Sequence, residues 1–190
     1  MKIILASKSP RRIEILNKIN LNFKAINSNY DESLIRINHK NPSNYCQMLA
    51  TKKAKIVSDR FDDTFVIGAD TIVYHKNKIL GKPKNKQEAI FYLKLLSNSN
   101  HSVYTGITLI NKNKKINKSF FDKTFVHFNK IYLKDIKYYI NNYNPYDKAG
   151  SYGIQGWSSI FVKKINGCFY NVIGFPLPKF YKLFSSDLNL

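Results

Sequence analysis

The stretch that most constrains the fold is Leu5-Ala6-Ser7-Lys8-Ser9-Pro10-Arg11-Arg12. It follows the apolar run Ile3-Ile4-Leu5, which reads as a buried strand. It precedes Ile13, Leu16 and Ile19, spaced like the inner face of a helix with Ile15 at its flank. Ser9 suits an N-cap, and Pro10 suits the first helical position, where its missing N–H is no loss. The expected unit is strand, tight loop, helix start. Backbone N–H groups, the Ser7 and Ser9 hydroxyls and two guanidiniums gather there, and all of them favour an anion. Such joints are common without any ligand. Two arginines in a first turn, however, oppose the helix dipole, and a bound anion would neutralise them. A polyphosphate cradle is the expectation.

The second informative stretch is Thr64-Phe65-Val66-Ile67-Gly68-Ala69-Asp70-Thr71. Its continuous apolar run predicts a strand buried on both faces. It ends in small residues around Asp70, which is thereby presented at a strand end. A lone aspartate after a strand is commonly a cap or turn residue. Its setting among Gly68, Ala69 and Thr71 makes Asp70 a catalytic candidate. Acids are scarce, so Asp31 and Glu32 in the polar segment 29–33 stand out. Lys53, in a helix expected from Asn41-Pro42 to about Arg60 through Tyr45, Met48, Leu49, Ile56 and Val57, reads on the chain alone as a snorkelling surface lysine. Gly81-Lys82-Pro83 places another lysine at a strand end.

The remaining chain alternates strand and helix signals. A short strand is expected at 22–27. A hairpin joins 72–74 to 79–80, and Asn85 with Glu88 opens a helix reaching about Ser97. Strands at 102–110 and 116–128 flank a basic tip, and Leu133, Ile136, Tyr139 and Ile140 mark a helix ending near Tyr143. A glycine-rich loop spans 144–156. Asn166-Gly167 predicts a hairpin between strands 159–165 and 168–174, and a last helix covers 176–185. The fold class expected is α/β: a curved, mixed β-sheet flanked by helices with a central cleft. It forms one domain over 1–190, arranged at most as two lobes.

Lys+Arg number 31 against 12 Asp+Glu, a net charge of +19. The lysines are scattered, and no zinc spacing, basic helix or aromatic RNA motif accompanies them. A nucleic-acid partner is therefore not expected. Cys46 and Cys168 have no metal-type spacing, and His39, His75, His101 and His127 form no triad or cluster. Trp157 and the tyrosines read as core or rim rather than base-stacking groups, with either role open to Trp157 beside Gln155. No apolar run is long enough for a membrane span and no signal-peptide pattern opens the chain, so free thiols in the cytoplasm are expected.

Six motifs, read in order, resemble the Maf family of nucleoside triphosphate pyrophosphatases. They are Leu-Ala-Ser-x-Ser-Pro-Arg-Arg, Gly-Ala-Asp-Thr, Gly-Lys-Pro, Ser-Val-x-Thr-Gly at 102–106, Asp-Lys-Ala-Gly-x-Tyr-Gly-Ile-Gln-Gly at 147–156, and Val-Ile-Gly-Phe-Pro-Leu at 172–177. Phe175 departs from the usual leucine. The resemblance implies an ITPase-like fold and hydrolysis of dTTP and UTP to the monophosphate and pyrophosphate, since Gly-Ile-Gln-Gly is similar to the branch with that preference. It implies Asp70 as proton acceptor, and Arg11, Thr71 and Gln155 as specificity positions. Ser7, Ser9, Arg12, Lys53 and Lys82 would line the phosphate cleft. Glu32 would stand near a divalent cation, Mg²⁺ or Mn²⁺, shared with Asp70. Homodimers are implied as an option. The alternatives are a pyrophosphatase for another nucleotide, such as 7-methyl-GTP, and a non-catalytic division-regulating or nucleic-acid-binding protein.

Overall fold

The computed structural model describes residues 1–190, except the side chain of Ser33. Its centre is a seven-stranded mixed sheet: β1 (Ile3–Leu5), β2 (Lys24–Ala25), β3 (Phe65–His75), β4 (Lys78–Leu80), β5 (Asn100–Asn111), β6 (Ile116–Phe128) and β7 (Val162–Asn166). The strand order is β2-β1-β3-β5-β6-β7, with β4 also on β3. The helices are α1 (Pro10–Asn17), α2 (Pro42–Ser58), α3 (Lys86–Leu96), α4 (Leu133–Asn142), α5 (Phe169–Ile173) and α6 (Leu177–Leu188), with 3₁₀ turns at Glu32–Leu34, Ala149–Ser151 and Trp157–Phe161.

One edge of β3 pairs with β5 from Val66 to Tyr74 without a break. The other edge is split. Parallel β1 covers residues 65–67, and antiparallel β4 covers 73–75. Residues 68–72 pair with no strand on that edge among the described residues. Because β1 runs with β3 and β4 runs against it, both end at this gap. The split thus delivers the loop after β1 with Ser7, and the first turn of α1 with Arg12, from one side and Lys82 after β4 from the other. Asp70 and Thr71 lie in the gap itself. Carboxyl ends of strands at such a break are where open α/β sheets receive ligands.

Helix α2 crosses one face of the sheet. It comes close because Gly68 and Gly106 lack side chains: a Cβ on Gly68 would lie 2.1 Å from the Ala50 carbonyl oxygen, and one on Gly106 2.5 Å from the Cys46 carbonyl. Asn41 caps α2, its Oδ1 accepting from the Asn44 N–H at 3.1 Å. The opposite face carries Ile67, Ala69, Ile107 and Leu109 against Ile15, Leu16, Phe175, Phe180 and Phe184 of α1, the loop before α6, and α6. Further along that face, Val73, Val103 and Val126 pack with Leu93 and Leu96 of α3 and Ile136 and Tyr139 of α4. Trp157 stacks on Tyr139 and Tyr143 at 6.0 and 5.8 Å, in the core and rim role expected of it.

Five expectations need correction. The strand expected at 159–165 begins only at Val162, because Trp157–Phe161 form a 3₁₀ turn. Strand β3 does not stop at Gly68-Ala69; it continues through Asp70 to His75, because its ladder with β5 is uninterrupted. The small residues there admit helix α2 rather than ending the strand. Residues 168–174 form no hairpin strand: after the Gly167 turn the chain enters α5. Asn171 holds α5 onto the sheet, its Nδ2 donating to the Val103 carbonyl and the Thr124 hydroxyl, both at 3.0 Å. In α1 it is Ile15 and Leu16 that are fully buried, while Ile19 lies beyond the helix. The short strand expected at 22–27 is reduced to Lys24–Ala25.

Candidate active site

Pro10 opens α1 as expected, but the Ser9 hydroxyl makes no capping bond. Instead the Ser7 hydroxyl accepts from the Ser9 N–H at 3.2 Å, shaping the turn from inside. The first α1 amide bonded along the helix is that of Ile13, to the Ser9 carbonyl. The Arg11 and Arg12 N–H groups therefore lack helical acceptors, as first-turn amides do.

Arg12 turns into the gap. Its Nε donates to the Gly174 carbonyl at 3.0 Å, Nη1 to the Ser7 hydroxyl at 3.3 Å and Nη2 to the Thr71 hydroxyl at 3.2 Å. A guanidinium has five N–H groups. Three are committed to protein, which leaves one on each terminal nitrogen, the pair that a phosphate accepts as a fork. Burial pulls the Arg12 pKa down, with Asp70 opposing and Arg11 adding to the effect.

Lys53 is not a surface lysine. Its side chain is only 12% exposed, and Nζ lies 2.5 Å from Asp70 Oδ1 and 2.8 Å from Glu32 Oε1. Helical position alone could not reveal this. The site forms when α2 settles onto Gly68 and Gly106 and the 3₁₀ turn Glu32–Leu34 folds over it. Burial disfavours the Lys53 charge, but the two carboxylates outweigh it and hold its pKa above the ordinary value. Burial also pushes the Asp70 carboxyl above its usual range. Lys53 and Arg12 work against that rise, and Glu32 adds to it. Glu32 itself is held low: burial is overcome by Lys53, Lys82 and Arg12. Lys82, two residues beyond the end of β4, is exposed to solvent.

Asp70, Lys53, Glu32, Arg12, Ser7 and Thr71 thus converge on one gap, with Lys82 at its edge. Two expected residues stand differently. Arg11 turns to the glycine-rich loop, donating to Asp147 Oδ2 at 2.7 Å and to the Asp147 carbonyl at 3.2 Å. Gln155 is exposed on that loop and makes no hydrogen bond among the described residues. The loop is shaped by Ser158, whose hydroxyl bonds both the N–H and the carbonyl of Gly153. Arg11–Asp147 therefore ties the loop of Gln155 to the start of α1. Asp147, Thr105 and the Gly174 carbonyl escaped residue-by-residue reading, although all three lie inside quoted motifs. A hollow of about 610 Å³ lined by Lys2, Phe23, Arg60 and Phe61 lies at the other end of β1 and includes none of these residues.

Among the described residues no three His, Cys, Asp or Glu side chains gather as a metal cage. Asp70 and Glu32 are nevertheless two carboxylates within 2.8 Å of one nitrogen. That donor set fits Mg²⁺ or Mn²⁺ held by one or two carboxylates with substrate phosphates and water completing the shell.

The Maf-like protein family model matches residues 2–186. The chain is 44% identical over 182 residues to the dTTP/UTP pyrophosphatase of Carboxydothermus hydrogenoformans, covering 96% of each. It is 46% identical over 183 residues to that of Clostridium perfringens, covering 96% of this chain and 95% of the other. It is 48% identical over 181 residues to that of Clostridium botulinum, covering 93% and 92%. Among solved structures, the Staphylococcus aureus Ham1 protein aligns with TM-score 0.45 at 13% identity, over 67% of this chain and 72% of the other. No helix is long and apolar enough to cross a membrane. From this match along nearly its whole length, the chain belongs to the Maf-like protein family.

Proposed function

We propose that this protein is a nucleoside triphosphate pyrophosphatase that hydrolyses dTTP and UTP to the monophosphate and pyrophosphate. The observation that carries the reading is the meeting of Arg12, Lys53 and Asp70 in the β3 gap, a cationic grip beside one buried carboxylate. Relatives named dTTP/UTP pyrophosphatase at 44–48% identity support the choice of bases.

In the reaction, water adds in line to the α-phosphorus, the bond from that phosphorus to the α–β bridging oxygen breaks, and pyrophosphate leaves. Such chemistry asks the protein mainly for positioning and charge. The outward N–H pair of Arg12, the free amides of Arg11 and Arg12, and Lys82 grip the phosphates. Asp70 takes the proton of the attacking water, and must be ionised to do so. Lys53 and Arg12 favour the ionised form against burial, and Lys53 also fixes the carboxylate in direction. Asp70 and Glu32 would hold a divalent cation, which supplies charge neutralisation on the phosphate oxygens. Gln155, with both a donor and an acceptor, reads the pyrimidine edge, while Thr71 in the gap and Arg11, paired with Asp147 on the loop of Gln155, support that discrimination. Free Cys46 and Cys168 suit a reducing cytoplasm.

A nucleotide panel assayed for pyrophosphate release tests the reading. dTTP and UTP are expected to exceed the other canonical nucleotides and 7-methyl-GTP by ~10²-fold in kcat/KM, as a site built on hydrogen bonds to the base discriminates. A preference for a methylated purine, or no release from any nucleotide, contradicts it.

A further inference from the structure

We infer that Thr105 is a positioning residue for phosphate binding: through Thr71 and Asn171 it sets the aim of the Arg12 guanidinium. The inference rests on the reading that Arg12 grips the substrate's phosphates.

Thr105 is fully buried in the middle of β5, directly across from Thr71 on β3. Its hydroxyl has one proton, and that proton faces the Asn171 carbonyl at 3.1 Å. The 3.0 Å contact between the Thr105 and Thr71 hydroxyls must then be donated by Thr71. With its own proton spent, the Thr71 oxygen is an acceptor for Arg12 Nη2. The result is a one-directional chain from Arg12 to Thr71 to Thr105 to the Asn171 carbonyl.

A second arm reaches the same guanidinium. Asn171 is fully buried, and its amide pins α5 to β5 and β6. Helix α5 ends at Gly174, whose amide donates back to the Asn171 carbonyl at 3.0 Å and whose own carbonyl accepts Arg12 Nε. Two of Arg12's three protein contacts therefore depend on the junction of Thr105 and Asn171. The third, to Ser7, lies on the loop that leads into α1, the helix that carries Arg12. Without the Thr105 hydroxyl, Thr71 is free to turn its proton to the Gly174 carbonyl, already 3.4 Å away. It would then compete with Arg12 Nε for that oxygen, and the outward N–H pair would lose its fixed direction. A role confined to packing would not require a hydroxyl at this position.

The test is a double-mutant cycle of Thr105→Val and Arg12→Lys, with KM and kcat for dTTP and thermal melting of each protein. Thr105→Val is expected to raise KM about tenfold while kcat changes less than threefold, the pattern of lost binding shared by ground and transition states. Thr105→Ser is expected to restore KM. In the Arg12→Lys background, which lacks the fork, Thr105→Val should change KM less than twofold. An unchanged KM in Thr105→Val, or an equal effect in both backgrounds, overturns the inference. If Arg12→Lys alone leaves KM unchanged, it is the phosphate-grip reading that fails, a distinguishable result. Should Thr105→Val not fold, Thr105→Ala takes its place in the same cycle with the same outcomes.

Discussion

Asp70 carries opposing demands. In the proposed role of base it must be ionised, yet it is buried in the sheet and has Glu32 nearby, both of which favour its protonated form. Lys53 and Arg12 act the other way. In the metal-free protein the Asp70 carboxyl should therefore titrate above the usual carboxylate range. Glu32→Gln removes a like charge that raises Asp70, so without metal its titration should move to lower pH. Lys53→Met removes an opposite charge and should move it to higher pH. Titration of the Asp70 carboxyl followed by NMR in the metal-free protein checks both signs. A titration unmoved by either change would contradict this balance of charges.

At the scale of elements, the site depends on how closely α2 approaches β3 and β5. A methyl at Gly68 would collide with rigid helix backbone rather than with a flexible side chain. Gly68→Ala is expected to cost about 2–3 kcal/mol, at the upper end for overpacking, read as a lower denaturant midpoint at unchanged slope. It should also lift Lys53 off Asp70 and depress activity in the protein that remains folded. Unchanged stability would contradict the close packing. This helix also shows what the sequence discloses and what it hides. Its start was legible from Asn41-Pro42, and the bounds of β6, 116–128, from its apolar pattern, because caps and periodicity are local. The engagement of Lys53 was not, since its partners lie 17 and 21 residues away. Asn166-Gly167 misled for the same reason: the dipeptide does turn the chain, but Asn171 finds its partners on β5 and β6, and a helix follows.

For the whole molecule, the decisive feature is the broken edge of β3. Two strand ends meet there, α2 brings Lys53 from one face, and α5 brings the Gly174 carbonyl from the other. Segments near the beginning, middle and end of the chain therefore serve one gap, as the ordered motifs implied. The geometry joining them could be read only after folding. The net charge of +19 suits an anionic substrate and speeds its arrival. The loop of Gln155 is tethered to the start of α1 by the Arg11–Asp147 pair, so it is joined to the helix that carries Arg12. The most direct measurement at this scale is single-site: dTTP binding by calorimetry alongside pyrophosphate release for Asp70→Asn. Binding within a few-fold of wild type, with turnover lowered on the order of 10²-fold or more, is expected if Arg12 and its neighbours hold the substrate while Asp70 serves the attacking water. Turnover near that of the wild type would contradict it.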